Sequence, residues 1–214
     1  SILAKGAIYI ELDRMKENSG LQDQVAASFG GFSRIDFARD GSFERRSDLF
    51  SAEVVDEIFT RLVLVFTGIS RVSSDISANY RKIDDAKSVL LAGTLQLVDE
   101  AEDLLVAGDV DGFGGLLNVG WDLKRRVSSN ISNSVVDDIY KDALDNGALG
   151  GKLIGAGGGG FVLLFAKEGE RDNLMRRFKN FICVPLGPDR EGSKIIYKDT
   201  RFDEQYRGMP WNKI

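Results

Sequence analysis

The chain has 214 residues, of which 43% are hydrophobic and 29% charged, the composition of a globular protein with one large core or two small ones. Its net charge of −5 comes from acidic and basic residues mixed along the whole chain, which argues against a nucleic-acid partner. The single cysteine, Cys183, excludes an internal disulfide framework, and the absence of histidine excludes His-based catalytic triads and most zinc sites.

The longest apolar runs are LVLVF at 62–66 and FVLLF at 161–165. Both are far shorter than the roughly 20 residues that cross a bilayer. The start of the chain shows no signal-peptide pattern. We therefore expect no membrane partner and a reducing, cytoplasmic location.

The first third of the chain is predicted to contain helices, a hairpin and a strand. Apolar residues at helical spacing indicate the helices, and Gly30-Gly31 caps the second of them. Asp40-Gly41 tolerates positive φ and predicts the hairpin turn. In chain order the elements are helix 2–16, helix 21–29, hairpin strands 33–38 and 42–47, helix 52–58 and strand 62–66.

The remaining residues predict a helical segment followed by alternating strands and helices. The helix after residue 110 is expected to bury Phe113, Leu117 and Val127. Such an order predicts an α+β sandwich with a few antiparallel strands covered on one face. The elements are helices 75–106, 110–127 and 132–146, a glycine loop, strand 161–166, helix 169–180 and strand 193–197, before an irregular tail.

The stretch GALGGKLIGAGGGGFVLLF, residues 147–165, contains four consecutive glycines. Gly155, Ala156, Gly157, Gly158 and Gly159 offer consecutive amides with little Cβ obstruction, as in loops that wrap a phosphate. A tight turn between a helix and a strand is the alternative. The stretch is neither a Walker A sequence nor a dinucleotide fingerprint in its usual place after a first strand.

Asp23 lies at a predicted helix start, within SGLQDQVAASFGG. A carboxylate in the first turn is favoured by the helix macrodipole alone. Because the chain has no histidine, the same carboxylate is also a candidate general base or hydroxyl-orienting group. Both interpretations stay open from these residues.

Two segments together resemble motifs of the GHMP kinases, the family that includes galactokinase, homoserine kinase and mevalonate kinase. They are SGLQDQVAASFGGFSRIDF at 19–37 and GALGGKLIGAGGGGFVLLF at 147–165, with further similarity in TGISRVSSDI and LLNVGWDLKRRVSSNIS. The resemblance extends to about residue 200 and is greatest to the heptose 7-phosphate kinases and related sugar 1-kinases. It implies transfer of the ATP γ-phosphate, with Mg²⁺, to the anomeric hydroxyl of a heptose 7-phosphate or a related sugar such as fucose or galactose.

The resemblance also implies roles for individual residues. Asp23 would be the catalytic base, Glu11 would help to hold Mg²⁺, and the loop 155–159 would close over the phosphates. The alternative for Glu11 is an ordinary solvent-exposed residue of a helix. The alternative for the cations at 71 and 124–126 is a basic helix end that complements the dipole of its own helix. The implied substrate-binding residues are Gln22, Gln24, Gly30, Gly31, Arg71 and Lys124.

The implied fold is the remainder of the GHMP kinase N-terminal domain over 1–72, a ferredoxin-like α/β sandwich C-terminal domain over 73–200, and a tail over 201–214. The family's PxxxGLGSS-type loop, which cradles the ATP phosphates, does not occur in the 214 residues. We therefore expect a fragment with little activity alone, with a complementing N-terminal segment or a homo-oligomer as possible partner. The alternative is a noncatalytic module that binds a sugar phosphate or assembles with another chain.

Overall fold

The computed structural model describes residues 2–17, 20–70, 85–128, 130–155 and 157–197. The chain divides into two compact units, residues 1–48 with 188–214 and residues 49–187. The strand at 62–66 is part of the second unit, so these units differ from the sequence-based division at residue 72, which stays a prediction. Within the described residues, no helix combines the length and the apolar character that a membrane span requires.

The first unit begins with helix α1, Ile2–Ile8, which continues as a π-helical segment, Tyr9–Arg14. Helix α2 spans Gln22–Phe29 and ends at Gly30, as the sequence predicts. Strands β1, Arg34–Phe37, and β2, Phe43–Arg46, pair antiparallel and confirm the predicted hairpin.

In its described residues, the second unit contains five helices and a four-stranded sheet. Its elements in chain order are α3 Ala52–Arg61, β3 Leu62–Phe66, α4 Asp85–Val106, α5 Val110–Val127, α6 Ser134–Asp145, β4 Ala148–Leu153, β5 Phe161–Ala166, α7 Arg171–Arg177 and β6 Cys183–Pro185. The part of the predicted helix 75–106 that precedes residue 85 lies outside the described residues.

The sheet is antiparallel throughout, in the order β4-β5-β3-β6. Counted from β3, its strands alternate with helical connections as β-α-β-β-α-β, and their spatial order is 4-1-3-2. That is the topology of a ferredoxin-like split βαβ unit. The predicted α+β class and the ferredoxin-like sandwich are therefore confirmed.

Helices contact both faces of the sheet, not one face as the sequence predicted. The Phe165 ring on β5 lies 5.7 Å from the Phe113 ring of α5, centroid to centroid. The alternate β5 residues Val162 and Leu164 belong instead to the buried cluster that includes Ile139 of α6 and Leu174 of α7. Successive strand residues point to opposite faces, so both faces are covered at this point.

Two strand predictions were wrong. No strand forms at 193–197, where Ile196 is 91% exposed; the fourth strand is β6, paired with β3. The first part of the predicted glycine loop is strand β4, in which Gly150 allows close packing of α5: a Cβ there would lie 2.3 Å from the Gly114 carbonyl oxygen. An apolar run indicates a strand only when a neighbour can pair with it.

The buried face of α5 also differs from its prediction. Phe113, Leu117 and Val127 are only half-buried, whereas Val110 and Trp121 are almost completely buried. The α5 helix packs against both β4 and α4, and the sequence pattern alone does not distinguish these two faces.

Candidate functional site: a glycine loop at the start of helix α6

The glycine loop of the second unit connects β4 to β5 through a series of left-handed backbone conformations. The φ angles are +76° at Gly155, +123° at Gly157, +75° at Gly158 and +95° at Gly160. Glycine adopts such angles readily, whereas side chains with a Cβ rarely do. The glycines therefore allow a path that most other residues could not follow without strain.

Hydrogen bonds to two neighbouring segments hold this loop in place. Gly158 donates its N–H to the Ile131 carbonyl at 2.9 Å, and Gly160 donates to the Ile69 carbonyl at 2.9 Å. The side chain of Asn133 donates to the Gly158 carbonyl at 3.0 Å, and the Thr67 hydroxyl donates to the Gly160 carbonyl at 2.9 Å. The loop is thus fixed at several points along its length.

The same neighbours leave little space for side chains on the loop. A Cβ at Gly157 would lie 3.0 Å from the Ile131 Cα, and a Cβ at Gly159 would lie 2.8 Å from the Ile69 carbonyl oxygen. Close backbone approach on both sides, together with the φ angles, explains why more glycines occur here than a simple turn requires.

The loop has two kinds of backbone N–H group. Those of Gly158 and Gly160 are used internally, but within the described ranges those of Gly157 and Gly159 make no hydrogen bond. The Asn133 Oδ1 accepts the Val136 N–H at 3.1 Å, which caps the N-terminus of α6 beside Gly158. Unused amides near the positive end of a helix favour an anion, so this arrangement can hold a phosphate or a carboxylate.

Lys124 of α5 contacts the start of the loop. Its Nζ donates to the carbonyls of Leu153 at 3.1 Å and Gly155 at 2.7 Å. Burial and the nearby charge of Lys152 lower the pKa of Lys124 to about 8. Burial also lowers the pKa of Lys152, although that residue keeps solvent-exposed surface. Lys124 therefore orders the loop backbone, and its role towards a substrate stays a prediction.

The predicted catalytic residue Asp23 lies in the first unit. It is exposed in the first turn of α2, beside the exposed Gln22. The next residue, Gln24, is buried, and its Nε2 donates to the Glu11 carboxylate. The structure thus brings together Glu11 and Gln24, two of the predicted site residues, at the contact of the π-helical segment with α2.

The described residues contain no group of three or more acidic or cysteine side chains arranged to hold a metal ion. Mg²⁺ in phosphoryl-transfer sites is usually held by one or two carboxylates, by substrate phosphates and by water. The single Glu11 carboxylate is compatible with a Mg²⁺ site in which phosphates and water supply most of the ligands. It does not form an all-protein metal cage with other described residues.

The predicted substrate residues Gly30 and Gly31 have internal structural contacts. The Gly30 N–H donates to the Ala26 carbonyl at 2.8 Å, and the Gly31 N–H donates to the Asp189 carbonyl at 2.6 Å. The Gly30 carbonyl accepts from Arg45 at 3.1 Å. A Cβ on Gly30 would lie 2.2 Å from the Gly192 nitrogen. These contacts explain the presence of both glycines by packing and hydrogen bonding within the first unit.

Two predicted site residues, Arg71 and Ala156, lie outside the described residues. Conversely, the predicted site residues do not include Asn133, Thr67 and Lys152, which are neighbours of the loop or of Lys124. An Asn immediately before a helical pattern is an N-cap signal and could have marked Asn133. Thr67 and the carbonyls that fix the loop have no comparable signal, because they reach it only through tertiary packing.

Comparisons with known proteins agree with this architecture. Residues 101–182 match the family of GHMP kinases C terminal. The chain is 32% identical over 179 residues to the D-glycero-alpha-D-manno-heptose 7-phosphate kinase of Campylobacter jejuni, a match that covers 83% of this chain and 53% of that protein. The chain spans about half the length of the curated relatives it matches.

Solved structures show the same similarity. A candidate sugar kinase from Campylobacter jejuni superposes with a TM-score of 0.69 at 28% identity, covering 89% of this chain and 55% of that one. The mevalonate kinase of Methanococcus jannaschii superposes with a TM-score of 0.66 at 20% identity, covering 86% of this chain and 56% of that one. At that identity the second similarity concerns the fold alone.

Proposed function

We propose that this chain, which belongs to the GHMP kinases through the C-terminal domain matched at residues 101–182, is part of an ATP-dependent sugar kinase. Its acceptor would be the anomeric hydroxyl of a heptose 7-phosphate or a related sugar. The similarity to a heptose 7-phosphate kinase supports this choice of substrate class.

The observation that carries the proposal is the pair of unused amides in the glycine loop. The N–H groups of Gly157 and Gly159 have no internal acceptor in the described part of the chain, while Gly158 and Gly160 anchor the loop between them. Phosphoryl transfer depends mainly on positioning and on stabilising charge on the phosphoryl oxygens. A fixed loop with free donors beside a helix N-terminus supplies both.

Asp23 would act on the acceptor. In the proposed reaction the sugar hydroxyl oxygen forms a bond to the γ-phosphorus, the bond from that phosphorus to the β,γ-bridging oxygen breaks, and ADP leaves with the electron pair. The hydroxyl proton passes to the Asp23 carboxylate, which is solvent-accessible in the first turn of α2. When bound, Mg²⁺ would neutralise charge on the phosphates, with Glu11 as its protein ligand.

The test is an assay of ADP formation by the protein from its full reading frame. The acceptors compared are D-glycero-D-manno-heptose 7-phosphate, the unphosphorylated heptose, fucose, galactose and mevalonate. We expect the heptose 7-phosphate to give the highest kcat/KM. A higher value with mevalonate, or no turnover with any sugar, would overturn the proposal.

Asp23→Asn tests the catalytic role in the same assay. Loss of the base is expected to lower kcat by about 10²–10⁴-fold, with thermal unfolding unchanged. Asp172→Asn is the matched control, because Asp172 is also the second residue of a helix and is exposed. Equal kcat values for both variants would exclude Asp23 as the base.

Two further measurements concern the fragment and the noncatalytic alternative. Because the 214 residues contain no PxxxGLGSS-type loop, we expect this chain alone to turn over far less ATP than the protein that the full reading frame encodes. Titration calorimetry with the sugar phosphate that shows binding, together with no ADP formation by the full protein, would favour a binding module over a kinase.

A further inference from the structure

An apolar groove lies between α4 and α5 in the second unit, and at Lys124 it reaches the start of the glycine loop. Its volume is about 420 Å³, within the roughly 300–1,000 Å³ range of small-molecule pockets. Its walls are mainly aliphatic, with Leu91, Leu97 and Val98 on α4 and Leu116 and Leu117 on α5. Such a lining favours a hydrocarbon chain over a sugar or a nucleotide.

The charges of the groove are of one sign. Of the described residues that line it, the charged ones are Lys124 of α5 and Lys152 of β4. In the described part of the chain neither lysine forms an ion pair with a carboxylate, and Lys124 meets only the backbone carbonyls of Leu153 and Gly155. Two partly buried cations without a counter-charge favour an anion beside them.

We infer that the groove binds an amphipathic anion, a linear acyl or alkyl chain that ends in a carboxylate or a phosphate. The chain would lie along the leucines and valine between α4 and α5, and the headgroup would lie between Lys124 and Lys152. The groove uses neither Asp23 nor the unused amides of Gly157 and Gly159, so its binding groups differ from those of the proposed phosphoryl-transfer site, although Lys124 also contacts the start of the glycine loop.

The mutual effect of the two lysines supports this assignment. The charge of Lys152 contributes to the lowered pKa of Lys124, which means that the two ammonium groups repel each other. A bound anion would offset this repulsion and the cost of burial together. A neutral ligand with the same chain would bury the same apolar surface without that gain.

Calorimetry on the protein from the full reading frame tests the inference, with each probe below its micelle concentration. Decanoate and decyl phosphate carry the two headgroups, 1-decanol has the chain without the charge, and butyrate and inorganic phosphate have a charge without the chain. We expect saturable binding of at least one ten-carbon anion, at least about 10-fold tighter than 1-decanol or the short anions. Equal affinity for decanoate, decyl phosphate and 1-decanol would overturn the inference, as would no binding of any ten-carbon probe.

Two variants locate the site. Lys152→Met removes one cation and is expected to weaken binding of the preferred anion by about 10-fold or more, whereas Lys179→Met removes a surface lysine outside the groove and should leave it unchanged. Thr94→Trp places a large ring in the groove from an exposed position on α4 and should abolish binding. Unchanged affinity in Thr94→Trp, with an unchanged melting temperature, would exclude the groove.

A second copy of the chain could cover the same apolar surface. Sedimentation of the protein without ligand distinguishes this case. A concentration-dependent dimer that Thr94→Trp disrupts, together with failure of decanoate and decyl phosphate to bind, would replace the ligand site with an interface. These outcomes do not depend on kinase activity, so the groove and the proposed reaction can fail separately.

Discussion

The two glycine turns of the protein look alike in sequence but differ in how they use their backbone. At Gly30-Gly31 in the first unit, both N–H groups are hydrogen-bonded within the unit, and Gly192 approaches Gly30 within the space of a methyl group. In the loop 155–160 of the second unit, anchored amides alternate with unused ones, at least among the described residues. Glycine content alone therefore does not identify a ligand loop; the backbone hydrogen bonds do.

The difference between the two turns in the use of their N–H groups has a physical cause. A glycine that makes room for a neighbouring backbone gains packing and internal hydrogen bonds, so no donor is left for a ligand. A glycine that allows an unusual φ between two anchors can leave its own N–H unused. Substitutions at these glycines and at their neighbours separate the two uses.

Gly30→Ala should strongly destabilise the first unit. The new Cβ would lie 2.2 Å from the Gly192 nitrogen, and φ at Gly30 is +63°. Overpacking and backbone strain together predict a loss of about 2–4 kcal/mol in the free energy of unfolding. Urea unfolding followed by circular dichroism measures this loss. Gly41→Ala has a similar positive φ but open space around it, and it should cost about 1 kcal/mol. Equal losses would show that packing at Gly192 is unimportant.

Gly157→Ala should affect the proposed reaction more than the stability of the fold. Its φ of +123° and the nearby Ile131 Cα force the loop to move, which displaces the unused amides. We expect kcat/KM for the sugar phosphate to fall by about 10²-fold in the protein from the full reading frame. Gly155→Ala, which has open space at its Cβ, is the control and should lose less than about 10-fold. The reverse order would contradict the assignment of the amides.

Substitutions at Asn133 separate its two hydrogen bonds. Asn133→Ala removes both the α6 cap and the donor to the Gly158 carbonyl, and it should cost about 1–2 kcal/mol in unfolding free energy. Asn133→Asp keeps the cap and removes the donor. It should therefore retain more of the stability, yet raise the KM for ATP because the loop is less fixed and a negative charge is added. If Asn133→Asp has the wild-type KM, the contact with Gly158 does not contribute to substrate binding.

The smallest expected effect concerns pH. The pKa of Lys124 is lowered to about 8 in the folded protein, below the ordinary value of a lysine in the unfolded chain. From about pH 8 to 9.5 the unfolded chain therefore binds more protons at this position, and the free energy of unfolding should rise with pH. Lys124→Met should show a smaller rise over this range than the wild type, as measured by urea unfolding at a series of pH values. Lys179→Met, which changes a lysine outside the groove, should keep the wild-type slope.

Much of the fold could be predicted from local pattern. Helices α2 and α5, the hairpin around Asp40-Gly41, and strands β3 and β5 follow from apolar periodicity and from turn residues. Strand β4 could not be predicted in this way, because its glycines weaken any strand signal and only tertiary contacts explain them: α5 packs on Gly150, and the Leu163 carbonyl of β5 lies close to Gly151. The apolar residues at 195–197 fail for the opposite reason, since they are exposed and pair with no strand in the described part of the chain.

The sequence by itself determined the α+β class, the position of the glycine loop and the family resemblance, because these depend on residue order and local spacing; the resemblance in turn implied a ferredoxin-like domain. Only the tertiary structure decided which glycine amides are used internally, that Asn133 joins the start of α6 to the loop, and that Lys124 and Lys152 share one apolar groove. Such facts depend on which carbonyl or side chain comes within hydrogen-bonding distance. That distance is set by packing between segments far apart in the chain.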